Sequence, residues 1–445
     1  MNYETLTIKE LKNLYSKKSI SFLELIDLQI AYIKKTEKNL LSLVNFDEEH
    51  YLKKAKDFNS ENMSKGYLEN VPIGVKDLID IKGMRTEANS KSLAGNIAKK
   101  DADIVNKLKS AGAFVGMKTN THEYAYGAVS PPTRNPWDLS KIPGGSSGGS
   151  AAATSSGICL ASLGSDTAGS IREPAALCSV VGFKPTYNWT SLLGIVPLAW
   201  SLDVVGPITK TISDCAIIFE ALSETYQNKE EVRSQNKSYK IGILNEYFSP
   251  MEEQVSNSYN ESINHFQDTF SCENVPSWDI DEVISTIFVI LTSESAAFLD
   301  KGISKNPNNY GGDVKQFVEM GKGFSSVDYI NAQRARNVIT QKVDKLFDSY
   351  DFLLSPAQLI AAPSPDNETI QINGEELPRD INLIKPLVLS SLCGYPSISI
   401  PFNKMGNGQY FSIQIIGKRN SDNKLIDFAK LLEKEFALQY DNPLV

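Results

Sequence analysis

Histidine is scarce in this 445-residue sequence, which contains only His50, His122 and His265. None stands in a setting that pairs it with a nucleophile. The commonest base for an activated hydroxyl therefore has no visible partner, although the members of a triad need not be neighbours in sequence. Cysteine is sparse too. Cys159, Cys178, Cys215, Cys272 and Cys393 are an odd set of five without a Cys-x-x-Cys pair. That pattern suggests neither a disulfide framework nor a thiolate metal site, and free, mostly buried thiols are expected.

An excess of basic charge is also missing. Lys and Arg number 45 against 53 Asp and Glu, a net charge of −8, whereas proteins that hold a phosphate backbone carry a concentrated basic surface. The pairs Lys17-Lys18, Lys34-Lys35 and Lys53-Lys54 are interleaved with acidic residues and read as solvated helix faces. No nucleic-acid contact is expected. The longest strongly apolar run, Val283 to Leu291, is interrupted by Ser285 and Thr286 and falls far short of the roughly 20 residues of a membrane helix. The opening MNYETLTIKELKN lacks the charged start and apolar stretch of a secretory signal, so a cytoplasmic protein without membrane association is expected. No internal repeat marks a solenoid or propeller.

What is present is enough apolar residue, 41% of the chain, to bury a large core. Ser21 and Glu24 have capping-box spacing, and Phe22, Leu25, Ile26, Ile30 and Ile33 follow one helix face. Residues 1 to about 60 are predicted to be a helical packing element. Val71–Val75 and Ala113–Met117 read as short buried strands, with an amphipathic helix from Asp103 to Ala111 between them. Further strands are predicted at Ile241–Leu244, Phe352–Leu354, Ser397–Phe402 and Ser412–Ile416, and a long helix from about Val327 to Ser349. This alternation predicts an α/β fold with a mixed, largely parallel central sheet covered by helices on both faces. A single domain, 1–445, is expected, with a catalytic core at 61–226 and a return to the core sheet at 326–445. The Asn- and Ser-rich stretch 227–325 is expected to be a variable insertion or cap.

The most informative block is Pro143 to Thr186, PGGSSGGSAAATSSGICLASLGSDTAGSIREPAALCSVVGFKPT. It holds Ser146, within Gly144-Gly145-Ser146-Ser147-Gly148-Gly149, and Ser170, within Asp166-Thr167-Ala168-Gly169-Ser170. Glycine lets backbone approach a ligand closely, and small side chains leave a carbonyl group unobstructed. A Gly/Ser linker would read similarly, but the apolar sequence on both sides does not suit a solvated tether. Ser170 precedes a proline-bearing helix start, so it reads either as an N-cap or as a nucleophile in a turn of free amides. Lys76 ends the strand Val71–Val75. A lysine there is either a base whose charge is suppressed by burial, or a partner of Asp77 or a snorkelling surface residue.

Together these segments resemble the amidase signature family. The resemblance runs from Val71-Pro72-Ile73-Gly74-Val75-Lys76-Asp77 through Lys118-Thr119-Asn120, Asn135-Pro136-Trp137-Asp138 and the whole 143–186 block. It continues in Ser201-Leu202-Asp203 with Gly206-Pro207, and more weakly in Gly394-Tyr395-Pro396-Ser397 and Gln414-Ile415-Ile416-Gly417. It implies an amide hydrolase with Ser170 as nucleophile, Ser146 as a bridging serine beside a cis peptide, and Lys76 as base. It further implies an oxyanion hole from the amides of Thr167, Ala168, Gly169 and Ser170, with Ser147, Asp166 and Arg172 in support and Gly144 and Gly145 near the substrate. No metal or organic cofactor is implied. The expected partner is a small-molecule amide, and the expected state a monomer or homodimer.

Within that family two activities compete. A glutaminase subunit of a tRNA-dependent amidotransferase would clamp glutamine between an arginine, here Arg336, and an acidic residue. Counting back from Gly394-Tyr395-Pro396, the acidic position falls near Ile384, with Asp380 four residues away. An unpaired ammonium disfavours glutamine, so a free-standing amidohydrolase is the expectation. A catalytically silent binding protein of the same fold is the remaining alternative.

Overall fold

The computed structural model describes residues 2–60, 66–223, 239–245, 247–276 and 279–443. Its strands are β1 (Pro72–Lys76), β2 (Phe114–Thr119), β3 (Ala161–Asp166), β4 (Val181–Lys184), β5 (Val204–Thr209), β6 (Lys240–Ile243), β7 (Ser271–Asn274), β8 (Phe352–Pro356), β9 (Thr369–Ile372), β10 (Glu375–Pro378), β11 (Ser397–Lys404) and β12 (Tyr410–Gly417). Ten of them form one sheet in the order β2-β1-β3-β5-β4-β11-β12-β8-β6-β7, while β9 and β10 pair separately as a hairpin.

The sheet is mixed and helix-covered, as expected, but its parallel pairing is confined to the flanks. β1 runs parallel to β2 and β3, and β6 parallel to β7 and β8. Every pairing between, from β3 with β5 through β12 with β8, is antiparallel. The expectation of a largely parallel sheet is corrected in that respect. Strands buried on both faces read as continuous apolar runs whichever way they point, so composition does not reveal direction.

Both faces are covered. On β4, Val181 and Phe183 join a cluster with Ile212, Phe219 and Leu425, whereas a Cβ on the intervening Gly182 would meet Ala175 and Ile171 on the opposite side. The helix Gly148–Ser155 lies in that second layer and is buried along its whole length. Its small residues permit this: a Cβ on Gly149 would sit 2.4 Å from the Asn120 backbone nitrogen. The predicted N-terminal helix is Phe22–Leu40, with the Ser21–Glu24 capping box formed and Phe22, Leu25, Ile26, Ile30 and Ile33 buried.

The stretch 227–325 divides. Residues 227–238 lie outside the described residues. β6 and β7 belong to the main sheet. The helices Ile280–Lys305 and Gly312–Gly323 pack on one another so closely that a Cβ on Gly321 would reach 2.0 Å from Thr292 O. The first of these has 26 residues, longer than its apolar run predicts, and is long and apolar enough to cross a membrane by length and composition alone. Here Val283, Ile287, Ile290 and Leu299 on it belong to the protein core.

Candidate active site

β1 ends at Lys76, a side chain with 0% exposure. Its Nζ contacts three hydroxyl oxygens, Ser146 Oγ at 2.7 Å, Ser147 Oγ at 2.8 Å and Ser165 Oγ at 2.9 Å. The neighbouring Asp77 is turned to Lys118 instead, at 3.1 Å, which rules out a Lys76–Asp77 pair. Burial lowers the Lys76 ammonium to about 7, against the opposing pull of Asp166 and Asp203. A neutral amine donates two hydrogen bonds and accepts one. Ser147 Oγ donates to Ser165 O at 3.1 Å and so receives an N–H from Lys76, while the Ser146 hydroxyl is free to donate to the lysine lone pair.

The loop carrying Ser146 is clamped on its carbonyl side. Ser146 O accepts from the His122 N–H at 3.2 Å and from Ser130 Oγ at 3.0 Å. The Gly145–Ser146 peptide is cis, as the resemblance implies. Ser147 N–H donates to Ser170 O at 3.2 Å, and this bond joins the two serine loops.

Ser170 lies in the turn between β3 and the helix Arg172–Leu177, 8% exposed, on the wall of a cavity. It is not the helix cap. That helix has no side-chain cap, and Asp166 is the acceptor in the turn: its carboxylate takes the N–H of Gly169 at 2.9 Å and of Ile171 at 3.1 Å. Gly169 is thereby removed from the expected oxyanion donors. The amides of Thr167, Ala168 and Ser170 keep no acceptor among the described residues. Thr167 Oγ1 donates to Asp203 Oδ1 at 2.6 Å, and Asp203 also holds the N–H groups of Leu198 and Ala199. Burial pushes the Asp203 carboxyl up to about 6.

Asp166 and Arg172 form a buried ion pair at 2.9 Å, both fully enclosed. Burial opposes charge on Asp166, but Arg172 and the amide donors outweigh it and hold the carboxyl below its usual range. Arg172 reaches on to Leu387 O, Ser390 Oγ, Ser391 Oγ and Gln414 Oε1, tying the turn to β12 and the preceding helix Val388–Cys393. Asp166→Ala strands this guanidinium in the interior. It is expected to destabilise the fold by about 3–5 kcal/mol, read as a lower midpoint in urea unfolding.

The cavity at Ser170 encloses about 490 Å³. Its wall is apolar: Tyr126, Leu198, Ile287, Phe288, Phe317 and Ile384 are among its lining residues, and Asp281, Ser285, Thr167 and Asp380 supply the polar points. No lysine or arginine lines it among the described residues. A larger open groove of about 850 Å³ lies between Trp137, Glu252 and Gln371 but contains none of the serines or the lysine described above.

Three expected substrate contacts are corrected. Gly144 and Gly145 are buried and face Glu173, whose Oε2 accepts the Gly145 N–H at 2.7 Å; neither glycine lines the cavity. Arg336 is directed elsewhere: Nε donates to Leu392 O at 2.6 Å, Nη2 to Ser201 O at 3.1 Å, and the guanidinium lies over Tyr187. Asp380 does reach the cavity wall, and its carboxylate is paired with Arg379 at 2.7 Å. Sequence reasoning missed Ser130, Ser165 and Glu173 and assigned Asp203 no role. Only the pairing of β1 with β3 and the folding of the two loops bring them to the site.

A family model described as Amidase matches residues 24–426 of this chain. The chain belongs to the amidase signature family. This amidase is an enzyme that hydrolyses amide C–N bonds, as its family does. It is 34% identical over 419 residues to a glutamyl-tRNA(Gln) amidotransferase subunit of Thermotoga maritima, covering 84% of this chain and 86% of that one. To the subunit of the same name from Caldanaerobacter subterraneus subsp. tengcongensis it is 30% identical, covering 98% and 97%. A crystal structure of an amidase superposes with a TM-score of 0.89 at 29% identity, covering 97% of this chain and 100% of that one.

Proposed function

We propose that this amidase cleaves a small-molecule carboxylic amide with an uncharged, apolar acyl group, through an acyl-enzyme on Ser170. The observation that carries the reading is Lys76 Nζ, enclosed by hydroxyls, lowered to about 7 and 2.7 Å from Ser146 Oγ. Ser170 Oγ attacks the carbonyl carbon as its proton passes to Ser146 Oγ, whose own proton passes to Lys76. The free amides of the 167–170 turn, Gly169 excepted, meet the developing oxyanion. The proton returns to the leaving nitrogen, the C–N bond breaks, and water then cleaves the ester, restoring the Ser170 hydroxyl.

The apolar acyl preference rests on a wall of Phe288, Phe317, Ile287 and Leu198 without a cation among the described residues. The second reading, a glutaminase subunit of a tRNA-dependent amidotransferase, draws on the names of the relatives and on Asp380 at the wall. It lacks a cation for the glutamine carboxylate, since Arg336 is held by backbone carbonyls away from the cavity. A buried carboxylate without a partner is strongly disfavoured. Ammonia release should favour neutral aliphatic or aryl amides over glutamine by about a hundredfold or more in kcat/KM. Ser170→Ala serves as the blank. A preference for glutamine, or copurification of a second polypeptide, would reverse the ranking.

A further inference from the structure

Glu173 is the buried acid that this chemistry leaves unused. It follows the nucleophile within one helical turn, its N–H donating to Gly169 O at 2.8 Å, and it is 1% exposed. Its side chain crosses to the other serine loop. Oε2 accepts the N–H of Gly145 at 2.7 Å, on the residue joined by the cis peptide to Ser146. Oε1 is buried and has no partner among the described residues. A Cβ on Gly144, where φ is +85°, would sit 2.5 Å from Oε2, so the carboxyl lies flat against this stretch of backbone.

The titratable groups facing Glu173 are Asp380, Arg379, Asp166 and Cys178. Arg379 is already engaged by Asp380 and by the carbonyls of Pro365 and Asn367, and Asp166 by Arg172. Burial pushes the Glu173 carboxyl well above its usual range; the Gly145 bond and Arg379 oppose this, and Asp380 and Asp166 reinforce it. A neutral acid suits the site. A negative charge here would favour the protonated form of Lys76 and weaken it as a base.

We infer that Glu173 is a positioning residue: its Oε2 holds the Gly145 N–H and thereby aims the Ser146 hydroxyl at Lys76. This rests on the relay reading above, so Ser146→Ala is measured alongside. Glu173→Gln keeps a neutral acceptor and is expected to leave kcat within about threefold of the native value. Its kcat/KM should lose activity toward acid at the same pH as the native enzyme. Glu173→Met has similar length and no acceptor for the Gly145 N–H. It is expected to lower kcat by about tenfold to a hundredfold with little change in KM, because small displacements of a reacting group cost that much.

Thermal unfolding checks that each variant folds. If the methionine variant does not, the glutamine variant decides alone, since replacing a charged Glu173 would move the acid limb to lower pH. The inference is overturned by any of three results: a loss in Glu173→Gln equal to that in Glu173→Met, an acid limb shifted by more than about half a pH unit, or a folded methionine variant with native kcat. Full activity in Ser146→Ala would instead overturn the relay, and with it the aim that Glu173 is held to provide.

Discussion

Ser170→Ala is expected to lower kcat for amide hydrolysis by about 10⁴-fold or more while leaving the fold intact. The oxygen proposed to attack has no substitute. Ser146 and Ser147, the hydroxyls of the partner loop, are both engaged by Lys76 and buried, and only Ser170 among these three lines the cavity. Residual turnover would come from the turn amides and from binding, which survive the substitution. Stability should change little, by roughly half a kcal/mol, because Ser170 Oγ is no helix cap and leaves no internal partner stranded. A fluorophosphonate probe followed by peptide mass analysis is expected to mark Ser170 in the native protein and nothing in the variant. Labelling elsewhere, or hydrolysis at the native rate by the alanine variant, removes Ser170 from the role of nucleophile.

Lys76→Met should abolish activity to a similar degree, and the native enzyme should carry the signature of the lysine in its pH profile. With the neutral amine as the proposed base, kcat/KM is expected to fall as pH drops through about 7, the value to which burial lowers Lys76. Stability gives an independent check. In the unfolded chain the lysine keeps its proton up to about pH 10.4, whereas in the fold it is neutral above about 7. Between those limits the unfolded state binds more protons, so native stability gains up to about 1.4 kcal/mol per pH unit as pH rises. The methionine variant lacks this dependence. Urea unfolding at pH 7 and pH 9 should therefore show native stability rising relative to Lys76→Met. A flat difference would mean that the buried lysine is charged.

Much of the architecture is legible in the sequence. The N-terminal helix follows from the Ser21–Glu24 capping box and its apolar face, because both are local properties of adjacent turns. β1 and β2 follow from short apolar runs bounded by turns, and the association of Lys76 with the serine block from a resemblance spread over most of the chain. Strand direction is not legible. A strand buried on both faces has the same composition in a parallel and an antiparallel neighbourhood, and the antiparallel centre of the sheet depends on connections that composition does not encode.

The site divides along the same line. Lys76, Ser146 and Ser170 are singled out in the sequence by the family resemblance, which assigns them a lysine-based serine chemistry, and the scarcity of histidine accords with it. Their electrostatics emerge only in the folded chain. Burial between β1, β3 and the Ser146 loop, with three hydroxyls and no carboxylate in contact among the described residues, lowers Lys76 to about 7. Gly169 leaves the oxyanion set because Asp166 folds back onto its amide, and Arg336 leaves the pocket because the carbonyls of Ser201 and Leu392 converge on it. Hydrogen bonding and desolvation depend on atoms brought together from distant parts of the chain. A motif names the donors and acceptors; packing decides which of them remain free for a substrate.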